Sequence, residues 1–163
     1  MVQVIDMNIL CKPFEALSSA HVYQMLRLRS EVFVVEQTCI YQDIDNKDIQ
    51  HGVHHLLIES SSSELMAYAR LLPKGLSYDD VSMGRVLVAQ AHRGKSLGKK
   101  VIAHSLKHIA LLWPGQSITI GAQSHLVDLY RSFGFVEQGQ PYLEDGIAHI
   151  DMQAVSPNFK EYL

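Results

Sequence analysis

Hydrophobic positions in the middle of the chain change from a strand pattern to a helix pattern. Residues 86–88 form a short apolar run rich in β-branched residues, which is typical of a buried strand. After a glycine-containing stretch, apolar residues recur at the spacing of one helix face, at Leu97, Val101, Ile102, Leu106 and Ile109. The pattern predicts a strand, a tight turn at 92–98 and a helix. The helix should end near Pro114, because the residue before a proline avoids helical geometry.

The other segments predict an α+β fold. A helix begins after Ser18 or Ser19, either of which can cap its free N–H groups. It carries apolar residues on one face at Val22, Met25, Leu26, Val32 and Phe33. Strands are predicted near 55–59, 65–72, 81–89, 118–122, 135–138 and 149–154, with a short helix at 125–133. Residues 2–10 make a poor strand, and residues 37–52 are polar and irregular.

The turn at 92–98 has the features of an anion-binding site. A strand that passes through such a turn into a helix directs several backbone N–H groups at one point. The first-turn amides have no partner within the helix, and the helix dipole makes this end positive. Basic side chains surround the turn at Arg93, Lys95, Lys99 and Lys100. The sequence therefore predicts a site for a phosphorylated ligand.

The spacing of this turn differs from two common phosphate loops. It has neither GxxxxGK[ST], which marks P-loop NTPases, nor GxGxxG, which marks Rossmann dinucleotide sites. The order of Arg93, Ser96 and Gly98 instead resembles the pyrophosphate loop of the GNAT superfamily of N-acyltransferases. Downstream, a predicted strand at 118–122 precedes Tyr130-Arg-Ser-Phe-Gly-Phe. This arrangement also resembles the superfamily, in which a tyrosine, three residues and Gly-Phe follow the corresponding strand.

The resemblance narrows to the ElaA-like branch of the superfamily and covers nearly the whole chain. Segments that resemble this branch occur in the right order at 29–37, 41–45, 55, 67–70, 84–86 and 144–149. One position departs from the superfamily pattern, since Ser96 stands where a glycine usually lies. Its Cβ would weaken cofactor binding if there were no room for it, whereas its hydroxyl could donate to a phosphate oxygen. We expect the serine to be tolerated.

The resemblance implies an α+β, three-layer α/β/α fold, with a mixed, mostly antiparallel and twisted sheet flanked by helices. It implies that the third and fourth main strands diverge, typically at a β-bulge, and that backbone groups freed there bind a pantetheine arm. Acetyl-CoA is the implied cosubstrate. Its expected contacts are Val86, Leu87, Val88, Arg93, Gly94, Lys95, Ser96, Leu97, Gly98 and Lys99. A backbone N–H within 86–88 would polarise the thioester carbonyl.

Three residues are the catalytic candidates. The resemblance implies that Tyr130 protonates the leaving thiolate, although its spacing alone is that of a core aromatic residue. The acceptor amine must lose a proton, and Glu36 and His149 are the main candidate bases. Glu36 follows an apolar run, so we expect partial burial and a raised pKa, the alternative being a structural ion pair. The imidazole of His149 titrates in a suitable range, and a structural histidine or a water chain is the alternative.

Arginines within apolar strand patterns need carboxylate partners, because an unpaired buried guanidinium is costly. Arg70 and Arg85 are such residues, and Arg29 belongs with them; Asp43, Asp45, Asp48 and Glu36 are available in the segment before them. One interpretation is an internal ion-pair network that holds the 37–52 segment. The other is a pocket in which Arg70 and Arg85, with His55, bind the acceptor or its carboxylate. His55 is also a candidate base, and a structural role at the start of a strand is the alternative.

Composition limits the classes of function. A chain of 163 residues is expected to form one domain, over 1–163, with room for a core. A formal charge of −3 argues against nucleic acid as the main partner. The N-terminal residues do not resemble a signal peptide, and no apolar run is long enough to span a membrane. Cys11 and Cys39 are expected to be free thiols in a reducing cytoplasm.

The sequence therefore predicts an N-acetyltransferase that moves an acetyl group from acetyl-CoA to a primary amine by direct attack. The acceptor, a small molecule or a peptide lysine, stays open, and exposed apolar residues on the late strands could pair two chains as a homodimer. A metal hydrolase is the first rival, but no HExxH or other tight ligand spacing is present, so no metal is expected. The second rival is a non-catalytic CoA-binding or interaction module on the same fold.

Overall fold

The computed structural model describes residues 6–155 and forms them into seven strands and three α-helices. The strands are β1 (Met7–Pro13), β2 (His54–Ser60), β3 (Leu65–Leu72), β4 (Ser82–Val88), β5 (Ile118–Gln123), β6 (Val136–Glu144) and β7 (Ile147–Ala154). The helices are α1 (Ser19–Arg29), α2 (Leu97–Leu112) and α3 (Val127–Arg131). A π-helical segment, Ser30–Glu36, continues α1.

Two antiparallel sheets meet at one point. The first has the order β1-β2-β3-β4, and the second has the order β5-β7-β6. A parallel bridge between Val81 and Ile118 joins them, and the Thr119 N–H donates to the Val81 carbonyl at 3.0 Å. Beyond this bridge, β4 and β5 are not paired among residues 6–155, which confirms the predicted divergence of these two strands.

Helices cover both faces of the first sheet because apolar side chains alternate along its strands. Leu56 and Ile58 pack in the cluster that contains the apolar face of α2. Leu57, which lies between them, packs with Met25 and Leu28 of α1 on the opposite face. The sheet therefore lies between two helical layers, and the predicted three-layer α/β/α fold is confirmed.

Most predicted elements are confirmed, with two exceptions. Ser18 caps α1, since its Oγ accepts from the His21 N–H at 3.1 Å. The prediction of a poor strand near the N-terminus was wrong for the described part of that segment, because β1 pairs with β2 along its whole length; residues 2–5 lie outside the described residues. Edge strands are only partly buried, so their apolar pattern is weak. The late hairpin of β6 and β7 is also longer than predicted.

Candidate functional site

The turn between β4 and α2 has the backbone geometry of an anion site. Gly94 and Ser96 both have positive φ, +76° and +59°, and Ser96 is the N-cap of α2 without a side-chain capping hydrogen bond. The first-turn N–H groups of α2 therefore remain available at the positive end of the helix. A Cβ placed on Gly94 or Gly98 would meet nothing within 4 Å, so the space in front of the turn is open.

One cavity of about 930 Å³ connects this turn with most of the predicted site residues. Nine of the ten predicted cofactor contacts line it: Val86, Leu87, Val88, Arg93, Gly94, Ser96, Leu97, Gly98 and Lys99. Lys95 does not; its side chain is exposed. The three catalytic candidates and two of the three substrate candidates also line the cavity, namely Glu36, Tyr130, His149, Arg70 and Arg85.

A β-bulge lies in β4 at the wall of the cavity. Opposite β3, the register shifts between the pairs Tyr68–Leu87 and Arg70–Gly84. Arg85, inside the bulge, has a φ of +53°, which is unusual for a residue other than glycine. Because β5 diverges beyond Val81, the other edge of β4 has backbone groups without a strand partner in the described part of the chain. This edge can accept an extended amide chain as an added strand.

Tyr130 is buried at the cavity wall. Its ring packs edge-on against Phe135, with centroids 5.8 Å apart, and only 6% of the residue is exposed. Burial without a nearby positive charge raises the pKa of its hydroxyl to about 12. Tyr130 is thus a core aromatic residue and also a neutral O–H donor that lines the cavity. The two interpretations of this residue are compatible.

Glu36 does not have the environment predicted for a base. Its side chain is 40% exposed, and its two carboxylate oxygens accept from Arg93 Nη1 and Nη2 at 2.6 and 2.9 Å. The hydrogen bonds from Arg93 hold the pKa of this carboxyl below its ordinary value. The expectation of partial burial and a raised pKa was therefore wrong. The apolar residues before Glu36 bury Val32 and Phe33 but leave the end of the π-helical segment exposed.

His149 has one ring nitrogen engaged and one free to accept a proton. Its Nδ1–H donates to the Ile147 carbonyl at 2.8 Å, which fixes the proton on Nδ1 in the neutral ring. Nε2 makes no hydrogen bond within residues 6–155 and lies 3.8 Å from Oε2 of Glu144. The residue is 8% exposed and lines the cavity. In this tautomer the lone pair of Nε2 is therefore available to a group in the cavity.

The predicted ion-pair network is present around the 37–52 segment. Arg29, which is fully buried, donates to the carboxylates of Asp43 at 2.9 Å and Asp48 at 2.6 Å. Arg70 donates to both oxygens of Asp45, at 2.7 and 2.8 Å, and to Asp48 at 3.0 Å. These bonds occupy both terminal nitrogens of Arg70. Its guanidinium therefore holds the segment, as the ion-pair interpretation predicts, and a contact between Arg70 and the acceptor stays a prediction.

Arg85 differs from the other two arginines. Its Nε donates to Asp43 at 2.7 Å and its Nη2 to Asp45 at 3.4 Å, and 22% of the side chain is exposed. No hydrogen bond engages Nη1 among the described residues. Arg85 therefore belongs to the network and still presents one donor nitrogen beside the cavity. Lys47, which also lines the cavity, donates to Ser77 Oγ at 2.7 Å.

His55 does not contact the cavity, so its assignment to a substrate site or as a base was wrong. It is fully buried, its Nε2–H donates to the Asp48 carbonyl at 3.0 Å, and its Nδ1 accepts from the Tyr68 hydroxyl at 2.7 Å. Burial lowers the pKa of its imidazole. His55 is a structural histidine that contacts the network through the backbone of Asp48. Its position inside a run of buried residues in β2 is consistent with this role.

Sequence reasoning missed a cluster of polar residues formed by β6, β7 and the connection between β3 and β4. The hydroxyls of Tyr78 and Tyr142 both donate to Oδ1 of Asp151, at 3.2 and 2.8 Å, and Tyr142 stacks on His149. One signal was available, because His149 and Asp151 are two residues apart in a predicted strand and must share a face. The position of Tyr142 opposite them was not predictable, since this part of the chain was not assigned to a strand.

Comparisons with known proteins agree with this fold. The family described as acetyltransferase (GNAT) domain matches residues 19–156. Protein ElaA of Escherichia coli (strain K12) is 43% identical over 136 residues, which are 83% of this chain and 88% of that protein. The chain therefore belongs to the GNAT acetyltransferase family, the enzymes that transfer acyl groups to amines, and is similar to its ElaA-like members.

Two solved structures have the same architecture. The crystal structure of an acyl-CoA N-acyltransferase from Pseudomonas aeruginosa superposes with a TM-score of 0.88 at 37% identity, covering 92% of this chain and 100% of the other. The crystal structure of Escherichia coli ElaA gives a TM-score of 0.86 at 38% identity, covering 91% and 99%. The GNAT N-acyltransferase fold is thus established for this chain.

Within 6–155, no helix is both long and apolar enough to cross a membrane. In that range, no three His, Cys, Asp or Glu side chains come close enough together to bind a metal ion.

Proposed function

We propose that this protein transfers the acetyl group of acetyl-CoA to a primary amine by direct attack in a ternary complex. The observation that carries the proposal is the single cavity that unites the anion-binding turn, the open edge of β4, Tyr130 and His149. Each of these groups suits one step of acyl transfer, and a shared cavity allows both substrates to meet without release of an intermediate.

The turn and the edge of β4 suit the two ends of the cosubstrate. The backbone N–H groups at the start of α2 would bind the pyrophosphate, with Lys99 adding positive charge. The unpaired edge of β4 would bind the pantetheine amides, and an N–H within 86–88 would donate to the thioester oxygen as it becomes negative. The open space in front of Gly98 leaves room for this close approach.

The proton transfers fall to His149 and Tyr130. The acceptor amine enters as an ammonium ion and gives a proton to Nε2 of His149, and the Glu144 carboxylate stabilises the resulting imidazolium. The amine nitrogen then attacks the carbonyl carbon, the C–S bond breaks, and the nitrogen gives its second proton to water. The Tyr130 hydroxyl, which stays protonated because its pKa is about 12, gives its proton to the departing thiolate. After release, water returns a proton to Tyr130 and takes the proton from His149.

The acceptor side of the cavity carries both signs of charge. Asp45, Glu144 and Asp145 line it, together with Lys47 and Arg85. We infer that the acceptor is a small amine or an exposed lysine. The free Nη1 of Arg85 is the group best placed to bind a carboxylate on it. If Arg85 binds the acceptor, Arg85→Lys should raise the KM for the acceptor while the melting temperature changes little. A lower melting temperature with unchanged kinetics would instead assign Arg85 to the network alone.

The test is calorimetric titration of the protein with acetyl-CoA, CoA and ATP, followed by a panel of amines. We expect micromolar binding of both CoA species and no binding of ATP. Gly98→Asp should abolish that binding by placing a carboxylate at the phosphates, while Gly115→Asn, in the turn after α2, is a matched control. Acetyl-CoA binding without turnover on any amine would instead indicate a non-catalytic module, and absence of CoA binding by folded protein would refute the proposal.

A further inference from the structure

Tyr142 connects the proposed base to a carboxylate. Its ring stacks on the imidazole of His149, with centroids 5.9 Å apart and an angle of 18° between the planes. Its hydroxyl donates to Oδ1 of Asp151 at 2.8 Å. Since His149 and Asp151 lie two residues apart on β7, they share one face, and Tyr142 bridges them from the neighbouring strand. The ring of His149 is therefore held on one side by a group that is itself anchored.

A bulge in β6 places Tyr142 at this position. The pairs Gln138–Asp151 and Tyr142–His149 enclose three residues on β6 but only Ile150 on β7. Gly139 takes a φ of +70° within the bulge, and Pro141 lies there as well. Without the bulge, regular pairing would place a different residue opposite His149. Bulges commonly re-aim a side chain beside a functional site.

The neighbouring strand leaves space for this contact. Gly121 on β5 pairs with Asp151, and a Cβ on Gly121 would lie 2.9 Å from the hydroxyl oxygens of both Tyr142 and Tyr78. Tyr78 donates to the same Asp151 oxygen at 3.2 Å, so two hydroxyls anchor one carboxylate oxygen. Burial and the nearby Asp151 raise the pKa of Tyr78 to about 12 and also raise that of Tyr142, so both remain donors at neutral pH.

We propose that Tyr142, anchored by Asp151, is a positioning residue that sets the plane of the His149 imidazole so that Nε2 faces the acceptor amine. The proposal rests on the assignment of His149 as the base. The bond from Nδ1–H to the Ile147 carbonyl fixes one atom of the ring, which leaves rotation about that contact possible. The stacked ring of Tyr142 removes this freedom, and its bond to Asp151 keeps the tyrosine from moving with the ring.

The kinetic test compares two substitutions at one position. Tyr142→Leu removes both the stacking and the hydroxyl, and Tyr142→Phe removes only the hydroxyl. Because small displacements of a reacting group are costly, we expect Tyr142→Leu to lower kcat about tenfold or more and Tyr142→Phe to lower it less, with KM for acetyl-CoA unchanged. Tyr142 is 36% exposed, so the variants should fold. Leu143→Ala, at the exposed next position of β6, is the control and should keep the kcat of the parent.

A double variant and a pair of substitutions at Asp151 separate positioning from a general loss of stability. In a His149→Ala background, Tyr142→Leu should cause no further loss of kcat, because there is no imidazole left to orient. Asp151→Asn retains an oxygen that accepts from both tyrosines and should stay close to the parent, whereas Asp151→Ala should resemble Tyr142→Phe. The proposal would be overturned if the losses of kcat from the two single substitutions multiplied in the double variant. It would also be overturned if Asp151→Asn and Asp151→Ala lowered kcat equally.

An NMR measurement on the free protein tests the positioning of His149 independently of the proposed function. In the nitrogen-15 NMR spectrum of the free protein, His149 should be the tautomer with its proton on Nδ1. In Tyr142→Leu the proton should stay on Nδ1, but the ring resonances of His149 should broaden as the ring exchanges between orientations, and in Leu143→Ala they should not. Ring resonances as sharp as those of the parent in Tyr142→Leu would contradict the positioning role even if the enzyme is active. Broadened resonances together with an active His149→Ala enzyme would support the positioning and refute the assignment of His149 as the base.

Discussion

Glu36 and Arg93 form a bidentate ion pair at the cavity, with oxygen-to-nitrogen distances of 2.6 and 2.9 Å. Arg93 also donates through Nε to the Val88 carbonyl at 3.1 Å, so it joins the end of α1's π-helical continuation to the end of β4. The pair neutralises the first basic residue of the anion-binding turn. A diphosphate that binds this turn must therefore approach a guanidinium that already has a carboxylate partner.

The first prediction concerns the charge of Glu36. Glu36→Gln removes a negative charge next to the phosphate site while keeping the side-chain shape. We expect the dissociation constant of acetyl-CoA to fall severalfold at low salt, and this gain to shrink as salt is added, because the interaction is screened. Calorimetry at two ionic strengths measures this. Since the pKa of Glu36 is lowered and not raised, we expect kcat to stay within about threefold of the parent.

Glu31→Gln is the matched control for this experiment. Glu31 also lies in the π-helical segment and pairs with Arg27 at 2.8 Å, away from the cavity. Its substitution should leave the affinity for acetyl-CoA unchanged. A loss of kcat of a hundredfold or more in Glu36→Gln would restore Glu36 as the base.

The second prediction concerns the left-handed backbone of Ser96. A φ of +59° costs a residue with a Cβ about 1 kcal/mol or more relative to glycine. Ser96→Gly should therefore raise the free energy of unfolding by up to about 1 kcal/mol, less the entropy that glycine gains in the unfolded chain. Ser96→Ala keeps the strain and removes the hydroxyl, so it should match the parent in stability. Denaturant unfolding of the three proteins measures both effects.

The same three proteins decide how Ser96 meets the phosphates. If the hydroxyl donates to a phosphate oxygen, Ser96→Ala and Ser96→Gly should both bind acetyl-CoA more weakly than the parent. If the Cβ obstructs the ligand, only Ser96→Gly should bind more tightly. Equal affinities would show that the serine is merely tolerated, as the sequence leads us to expect.

The third prediction concerns the buried ion network. Arg29→Met leaves the carboxylates of Asp43 and Asp48 buried with fewer partners, and removal of one member of such a network costs about 3–5 kcal/mol. We expect a large drop in the denaturant midpoint, with the 37–52 segment becoming sensitive to proteolysis. Arg27→Met, on the exposed side of α1 with 63% of its side chain accessible, should change stability by less than about 1 kcal/mol. Equal stability of the two variants would contradict the structural role of the network.

The sequence predicts features whose determinants are close together in the chain. The turn at 92–98 and α2 follow from apolar spacing and glycines within a few residues of each other, and the structure confirms both. The partner of Glu36 lies 57 residues away, so no local pattern distinguishes a paired carboxylate from a buried base. The position of Tyr142 depends on a bulge of three residues in β6. Irregular pairing of this kind breaks the alternation on which strand prediction relies.

The fourth prediction concerns the pH dependence of stability. Burial lowers the pKa of His55 below its ordinary value of 6.5, so the unfolded chain takes up a proton in a pH range where the folded chain does not. Its contribution to stability is present in full above pH 6.5 and declines as the pH falls below that value. The slope is at most about 1.4 kcal/mol per pH unit for one proton.

Urea unfolding between pH 5 and 8 measures this slope. His55→Gln disturbs the hydrogen bonds of this buried side chain, so its free energy of unfolding should be lower than that of the parent at pH 8. Because glutamine cannot take up the proton, this free energy should change less between pH 6.5 and pH 5. The difference in free energy of unfolding between the two proteins should become smaller as the pH falls. Curves that stay parallel over this range would show that His55 does not cause the effect.

The last prediction separates the two roles of Tyr130. Tyr130→Phe keeps the edge-on packing against Phe135 and removes a hydroxyl for which the described residues provide no hydrogen bond, so the melting temperature should change little. If the hydroxyl protonates the thiolate, kcat should fall about a hundredfold with KM for acetyl-CoA unchanged. Phe135→Leu, which disturbs the same packing without removing an acid, should lower the melting temperature more than Tyr130→Phe does and lower kcat less. An active Tyr130→Phe enzyme would assign Tyr130 to the core alone, and the thiolate would then have to take its proton from solvent.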